Sequence, residues 1–334
     1  MAVSFNDKDI YNQKFNPRAH LDRYYSSKDG ALVNDKYLEF VLKQLAKTFT
    51  AGVVEGETLI DIGTGLSIYQ LLSACEVFKE IIVSDYSALC RQEFEKWLKK
   101  HPGTFDWSPV VRYVCDLEGQ SEKSTQKEEK LRQRVKEILK CDVTQSQPLE
   151  SSLPLSADCL LSSLCLEAAC KDHDTYRRAI KNISTLLKPG GHLVMMGALE
   201  DTYYTVGDHR FSVLFYDAGF VRNALTGAGY IIKDFQVCPR PKDSAHSFSD
   251  YKGFFFVVAC KETSSLTVLE RIPIYGNPSF ENSNQLNCGA LKVSNKAIEP
   301  EERGTTGLLM PQDDNYKPEQ NNGFNIAPGA LPDW

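Results

Sequence analysis

No apolar stretch of this 334-residue chain approaches the roughly 20 residues that a membrane-spanning helix needs, so no span is expected. Positive charge is not in excess: 38 Lys and Arg stand against 44 Asp and Glu, a formal net charge of −6. A nucleic-acid protein usually carries a basic patch or stripe, and none is expected here. The ten cysteines, Cys75 to Cys288, include no C-x-x-C pair, so a zinc or other metal site is not expected either. They are scattered through apolar segments with no signal peptide ahead of them, which suits reduced thiols in a cytoplasmic protein better than a disulfide framework. What remains is ordinary for a globular protein: 42% hydrophobic and 25% charged residues, with a mean hydropathy of −0.33. The length accommodates one large α/β domain plus an appendage.

A further absence concerns glycine. The stretch Leu59-Ile60-Asp61-Ile62-Gly63-Thr64-Gly65-Leu66-Ser67-Ile68 reads as a buried strand running into a glycine turn, with helical spacing resuming from Ile68 to Ala74. Such turns offer backbone N–H groups to a ligand. The dinucleotide fingerprint G-x-G-x-x-G needs a third glycine, and that position is Ile68. A pyrophosphate ligand is therefore disfavoured, and a turn with no ligand stays open at this point. The next strand-like run, Glu80 to Ser84, ends on Asp85.

Taken in order, the chain begins with Tyr11 to Tyr25, aromatic residues mixed with polar ones, which read as a cover over the sheet. Helices are expected over 33–49, 93–100, 121–140, 176–187 and 220–229, the third a charged surface helix with a stripe of Leu131, Val135, Ile138 and Leu139. Strands are expected over 110–115, over 157–166, at 192–196, and near 230–238 and 254–260, with 140–143 as a strand end. Alternation of strands and helices predicts a doubly wound α/β sheet with ligands at the carboxyl ends of its strands. Gly63, Asp85, Asp142, Ser163 and Glu167 should all fall there. From 263 to 334 the texture changes: seven of the fifteen prolines lie in this polar stretch, which reads as a disordered tail after a domain over 1–262 with an N-terminal cap of about 50 residues.

The strand-turn-helix with an acidic residue two positions before G-x-G, and Asp85 after the next strand, resembles the class I S-adenosylmethionine-dependent methyltransferases. Longer stretches narrow this. Phe15-Asn16-Pro17-Arg18, Tyr69-Gln70-Leu71-Leu72-Ser73-Ala74-Cys75, Phe105-Asp106-Trp107-Ser108-Pro109-Val110-Val111, Cys141-Asp142-Val143-Thr144-Gln145-Ser146-Gln147-Pro148-Leu149 and Leu187-Lys188-Pro189-Gly190-Gly191 are close to the wording of one family. Over about residues 5 to 262 the chain resembles the nicotinamide, phenylethanolamine and indolethylamine N-methyltransferases.

That resemblance implies a mostly parallel seven-stranded, Rossmann-like sheet with an N-terminal helical cover, and S-adenosylmethionine as cofactor. Tyr11 and Tyr25 would close over the cofactor, with His20 beside them. Gly63, Thr64 and Gly65 would meet its methionine part, Tyr69 would bond its carboxylate and Ser163 would lie along it. Asp85 would hold the ribose, with Tyr86, Ser87 and Cys90 adjacent. Asp142 and Val143 would contact the adenine. The family usually has Tyr at His20 and Asn or a similar residue at Cys90.

The acceptor side departs further. The nicotinamide enzymes carry Asp and two serines at the positions of Gly197, Asp201 and Val213, whereas Glu167 and Asp201 resemble the phenylethanolamine branch, in which two acidic residues face an amine. Gly197, Asp201, Tyr204 and Val213 are accordingly expected to bind substrate, with Glu167 and Asp201 as catalytic groups. A carboxylate suits a protonated alkylamine, because it can orient the cation and help remove its proton. The expected activity is methyl transfer to a small amine or pyridine nitrogen by a cytoplasmic monomer. The alternative is a cofactor-binding pseudoenzyme or scaffold.

Overall fold

The elements follow the alternation of apolar periods, and in a computed structural model they are described for residues 5, 6, 8–26, 36–151, 155–241 and 248–263. Residues 33–35 of one expected helix, Cys288 and the expected tail from 264 onward lie outside the described residues. Three helices open the chain: α1 (Ile10–Gln13), α2 (Pro17–Tyr24) and α3 (Lys36–Thr50). Strands β1 (Gly56–Ile62) and β2 (Phe78–Asp85) are followed by α4 (Ala88–Leu98), α5 (Ser108–Leu117) and α6 (Ser124–Arg134). Then come β3 (Val135–Lys140), β4 (Ala157–Ser163), α7 (Leu166–Ala169), α8 (His173–Ser184) and β5 (Leu187–Leu199). A hairpin of β6 (Tyr203–Val206) and β7 (His209–Ser212), helix α9 (Ala218–Thr226), and strands β8 (Tyr230–Pro239) and β9 (Gly253–Lys261) complete the described part.

Seven strands form one sheet in the order β3-β2-β1-β4-β5-β9-β8, with β1 to β5 parallel and β9 antiparallel to both its neighbours. The expected mostly parallel, seven-stranded doubly wound sheet is thus observed. Period-2 alternation sends Leu59, Ile81, Val83, Cys159 and Leu161 to a core under α3 and α5, and Ile60, Ile62, Ile82, Leu160 and Leu193 to a second core under α8 and α9. From β1 the chain winds outward through β2 to β3, then returns to lay β4 on the other side of β1. That reversal leaves a crevice at the carboxyl ends of β1 and β4, where ligands of such sheets bind.

Three local expectations are corrected. Residues 110–115 form the middle of α5, not a strand. Pro109 sits in its first turn, Asp106 accepts from the Ser108 N–H at 2.9 Å, and Val110, Val111, Val114 and Cys115 share one buried face. Packing at a 3.6-residue period thereby overrides the strand preference of valine. The expected helix over 121–140 ends at Arg134; Val135 pairs with Ile81 and Ile138 with Val83 as β3, so three of the four residues of the apolar stripe belong to the sheet. The helical spacing from Ile68 resolves into two short 3₁₀ turns, Tyr69–Leu71 and Ala74–Glu76. Gln70 explains the tightening: its Nε2 donates to Asp61 Oδ2 (3.0 Å) and to the Thr64 and Ser67 carbonyls, tying the segment back onto the glycine turn.

All cysteines among the described residues are free thiols, and no group of three metal-ligating side chains is gathered there. No helix among them is long and apolar enough to cross a membrane.

Candidate active site

Gly63 and Gly65 follow β1 with φ of +72° and +64°, a region that L side chains disfavour. A Cβ on Gly63 would overlap the Cys165 thiol, whereas one on Gly65 would meet nothing within 4 Å. The turn is pinned from the neighbouring strand: the Gly65 N–H donates to Asp85 Oδ2 at 2.9 Å and the Ser87 N–H to Asp85 Oδ1 at 2.8 Å. Asp85 therefore shapes the turn as well as facing the space beyond it. Burial raises its carboxyl above the ordinary range, and those two N–H donors and Arg91 only partly offset this.

The space beyond is a cavity of about 360 Å³, in the size range of small-molecule sites. Every residue expected in the site borders it except Gly197. The wall nearest the glycine turn holds Gly63, Thr64, Gly65, Asp85, Tyr86, Ser87, Cys90, Asp142 and Val143. Asp142 Oδ1 accepts from the Thr144 N–H (3.1 Å) and hydroxyl (2.6 Å), and its other oxygen pairs with the Lys8 ammonium. Burial opposes ionisation of Asp142, but Lys8 and Thr144 outweigh it and hold the carboxyl below its usual range.

Above the turn, Tyr69 is tied into a closed trio of hydroxyls. Its Oη lies 2.9 Å from Tyr37 Oη and 2.7 Å from Ser163 Oγ, and Tyr37 Oη lies 2.8 Å from Ser163 Oγ. The trio joins α3, the first 3₁₀ turn and the end of β4. Tyr37 carried no local signal in the sequence: it lies at the start of an amphipathic helix and reads there as one more core residue. The cover expected from residues 11–25 is observed as α1 and α2, with Tyr11, His20 and Tyr25 on the cavity. His20 is ringed by Tyr24 (4.8 Å between centroids), Phe15 (5.2 Å), Tyr25 (5.8 Å) and Tyr204 (6.3 Å). Burial pushes its imidazole down to about 3, so it is neutral, and its Nδ1 is buried without a hydrogen-bond partner.

The opposite wall is acidic. Glu167, on the single turn α7, is 4% exposed and accepts from the Ala198 N–H at 3.0 Å. Burial pushes it up to about 7, offset in part by that donor. Gly197 stands behind it: an added Cβ would lie 2.7 Å from Glu167 Oε1 and 2.8 Å from the Tyr216 hydroxyl. Gly197 thus presents no side chain to the cavity and instead leaves room for the Glu167 carboxyl. Asp201, also 4% exposed, accepts from the Ser249 hydroxyl at 2.9 Å. Burial, and then contact with Asp250, push it up to about 8. Tyr204, Val213, Phe248, Tyr251 and Phe254 add an apolar and aromatic lining, of which Phe248 and Tyr251 carried no signal in the sequence. Leu164 and Glu200, each adjacent to a cavity residue, take φ of +52°, a strain of about 1–2 kcal/mol for an L residue.

Comparison with known proteins accords with this arrangement. The chain is 52% identical over 262 residues to nicotinamide N-methyltransferase of Homo sapiens, covering 78% of this chain and 98% of that protein. It is 44% identical over 255 residues to indolethylamine N-methyltransferase of Mus musculus (76% and 96% covered) and 44% identical over 252 residues to phenylethanolamine N-methyltransferase of Macaca mulatta (75% and 89%). The pattern of the NNMT/PNMT/TEMT family matches residues 3–262, and with three-quarters of its length aligned to such relatives the chain belongs to that family.

Proposed function

We propose that this protein is an S-adenosylmethionine-dependent N-methyltransferase acting on a small amine or pyridine nitrogen, and that it works in the cytoplasm as a monomer without nucleic-acid or membrane partners. The observation that carries this reading is the joining, in one cavity, of a glycine-turn wall and a buried acidic wall. The names of its relatives, which methylate nicotinamide, indolethylamine and phenylethanolamine nitrogen, support the same reaction class.

The residues present fit the cofactor. Gly65 opens on free space, His20 keeps an unpartnered buried nitrogen, and carboxylates stand at the ends of two successive strands. In this reading Asp85 holds the ribose, and Asp142 with the Val143 N–H holds the adenine. Gly63, Thr64, Tyr69 and Ser163 hold the methionine end, with Tyr11, His20 and Tyr25 closing over it and Tyr86, Ser87 and Cys90 completing the wall. When bound, S-adenosylmethionine supplies a methyl group on a sulfonium.

Methyl transfer is an in-line displacement, so the main task of the protein is to hold the acceptor lone pair on the methyl axis. An alkylamine arrives protonated and must first lose a proton. Glu167, with its carboxyl near 7, is suited to take that proton at neutral pH, with Asp201 orienting the nitrogen. Tyr204 and Val213 flank the acceptor, and Gly197 gives Glu167 its room.

The test is full-length protein incubated with methyl-labelled cofactor and nicotinamide, phenylethanolamine, tryptamine or a simple thioether. Label should pass to at least one nitrogen acceptor. Cofactor binding by calorimetry without transfer to any amine would favour a pseudoenzyme, and neither binding nor transfer would overturn the enzyme reading.

A further inference from the structure

Two amides of the glycine turn are spent inside the fold. The Thr64 N–H donates to the Ser84 carbonyl at 2.8 Å, and the Gly65 N–H to Asp85 Oδ2 at 2.9 Å. The turn therefore shapes the cavity without freeing those two donors, and the charged end of an amino acid lying along it needs donors from elsewhere. Hydroxyls stand beside the turn. Ile62 pairs with Ser162 across β1 and β4, which sets Ser163 level with Gly63, and Ser163 Oγ lies 2.8 Å from Tyr37 Oη and 2.7 Å from Tyr69 Oη.

Tyr37, Tyr69 and Ser163 all border the cavity and all are buried. The Tyr37 ring is wedged between Phe254 (4.5 Å between centroids) and the edge of Tyr69 (6.3 Å), which fixes where its hydroxyl can point. Burial raises both phenols well above their ordinary range, so each keeps its O–H proton. Three hydroxyls carry three protons, and the three contacts of the trio take one each. To serve a ligand, a hydroxyl has to turn outward and give up a bond within the trio. For a neutral ligand atom that exchange gains nothing. For a carboxylate it is favourable, because a hydrogen bond to an anion is roughly twice as strong as one between neutral groups.

We propose that Tyr37 is a cofactor-binding residue, and that an amino-acid carboxylate opens the trio so that Tyr37 and Tyr69 each donate to it while Ser163 keeps its bond to one of the two phenols. The two phenol oxygens, 2.9 Å apart, are close enough for both to reach the oxygens of one carboxylate. The trio thereby reads charge: it opens for a nucleoside that carries an amino-acid carboxylate and stays closed for one that does not. The inference rests on the S-adenosylmethionine reading of the cavity and deepens it by giving the methionine carboxylate a second donor beside Tyr69, brought from α3.

Calorimetry on the full-length protein, comparing S-adenosylhomocysteine with 5′-methylthioadenosine, tests this, because the second shares the nucleoside and the sulfur but has no carboxylate. The natural protein should bind S-adenosylhomocysteine the more tightly. Tyr37→Phe keeps the ring and removes one O–H; it should weaken S-adenosylhomocysteine by about tenfold, the scale of a lost hydrogen bond to a charged group, and leave 5′-methylthioadenosine within about twofold. That second titration also reports that the variant is folded. In a Tyr69→Phe background the same substitution should weaken S-adenosylhomocysteine again, since each phenol makes its own bond. No further loss in that background would mean that Tyr37 only orients Tyr69, and would overturn the second donor. Unchanged S-adenosylhomocysteine binding in Tyr37→Phe, or equal weakening of both nucleosides as a packing role predicts, would overturn it too. A natural protein that binds both nucleosides with no preference for the carboxylate would overturn the part played by the trio alone, whereas one that binds neither would overturn the cofactor reading beneath it.

Discussion

The two walls of the cavity are built by different means. The glycine-turn wall is made by backbone: two residues at positive φ, and N–H groups of Gly65 and Ser87 that Asp85 gathers within a few residues of strand ends. The acidic wall is made by side chains brought from far apart: Glu167 is held by Ala198, 31 positions on, and Asp201 by Ser249, 48 positions on. A wall of backbone tolerates little change in shape, because any Cβ or lost acceptor alters the turn itself. A wall of side chains can be re-equipped residue by residue. The contrast accounts for a family that shares one methyl donor and differs in acceptor.

The largest effect should come from breaking the backbone wall. Asp85→Ala removes the acceptor of two N–H groups and leaves the turn unpinned. A hydrogen bond to a charged group contributes about 1.5–3 kcal/mol, so cofactor affinity measured by calorimetry should fall by about 100-fold. Glu167→Gln should do the reverse: cofactor affinity within about twofold of the natural protein, and kcat/KM for an alkylamine lowered by about 100-fold, the usual scale of a lost proton acceptor. If both variants lose cofactor affinity equally, the division between walls is wrong.

A smaller effect concerns pH. Glu167 and Asp201 are raised by burial from 4.5 and 3.8 to about 7 and about 8, so the folded protein binds protons there that the unfolded chain has released. Stability should therefore fall as pH rises through the window from about 4 to about 8. Asp61, raised by burial to about 7, adds to the same slope from beneath the glycine turn. Melting temperatures across this range should decline less steeply in Glu167→Gln; identical slopes would show that the Glu167 carboxyl does not titrate in this window. On the activity side, kcat/KM for the amine should rise with pH through about 7 as Glu167 ionises.

The smallest effect should come from Lys8→Ala. Its ammonium is 40% exposed where it pairs with Asp142, and pairs of that kind contribute about 1 kcal/mol or less. Freeing Asp142 should change cofactor affinity by no more than about fivefold and in the direction of tighter binding. A large loss would mean that Lys8 itself holds the cofactor and that the backbone wall extends into the N-terminal cover.

Much of the sheet was legible because its signals are local. The continuous apolar runs of β1, β2 and β4 need burial on both faces, and the tail of each run places Gly63, Asp85 and Ser163 at the same end of the sheet. Where a segment carries two periods at once, locality fails. Val110 to Cys115 suits a strand by composition, and only α3 and the sheet beneath it make the helical face the one worth burying. Leu131, Val135, Ile138 and Leu139 read as one stripe until pairing with β2 divides them.

The sequence by itself determined the glycine turn, its acidic companions and the family wording around them, because a turn's conformation depends on the few residues that form it. Only the tertiary structure decided that Tyr37 closes a hydroxyl trio with Tyr69 and Ser163, that Gly197 is the space Glu167 occupies, and that the Ser249 hydroxyl reaches Asp201. Each of these joins residues from different elements, and their meeting is set by strand order and helix packing, which no short stretch of chain encodes.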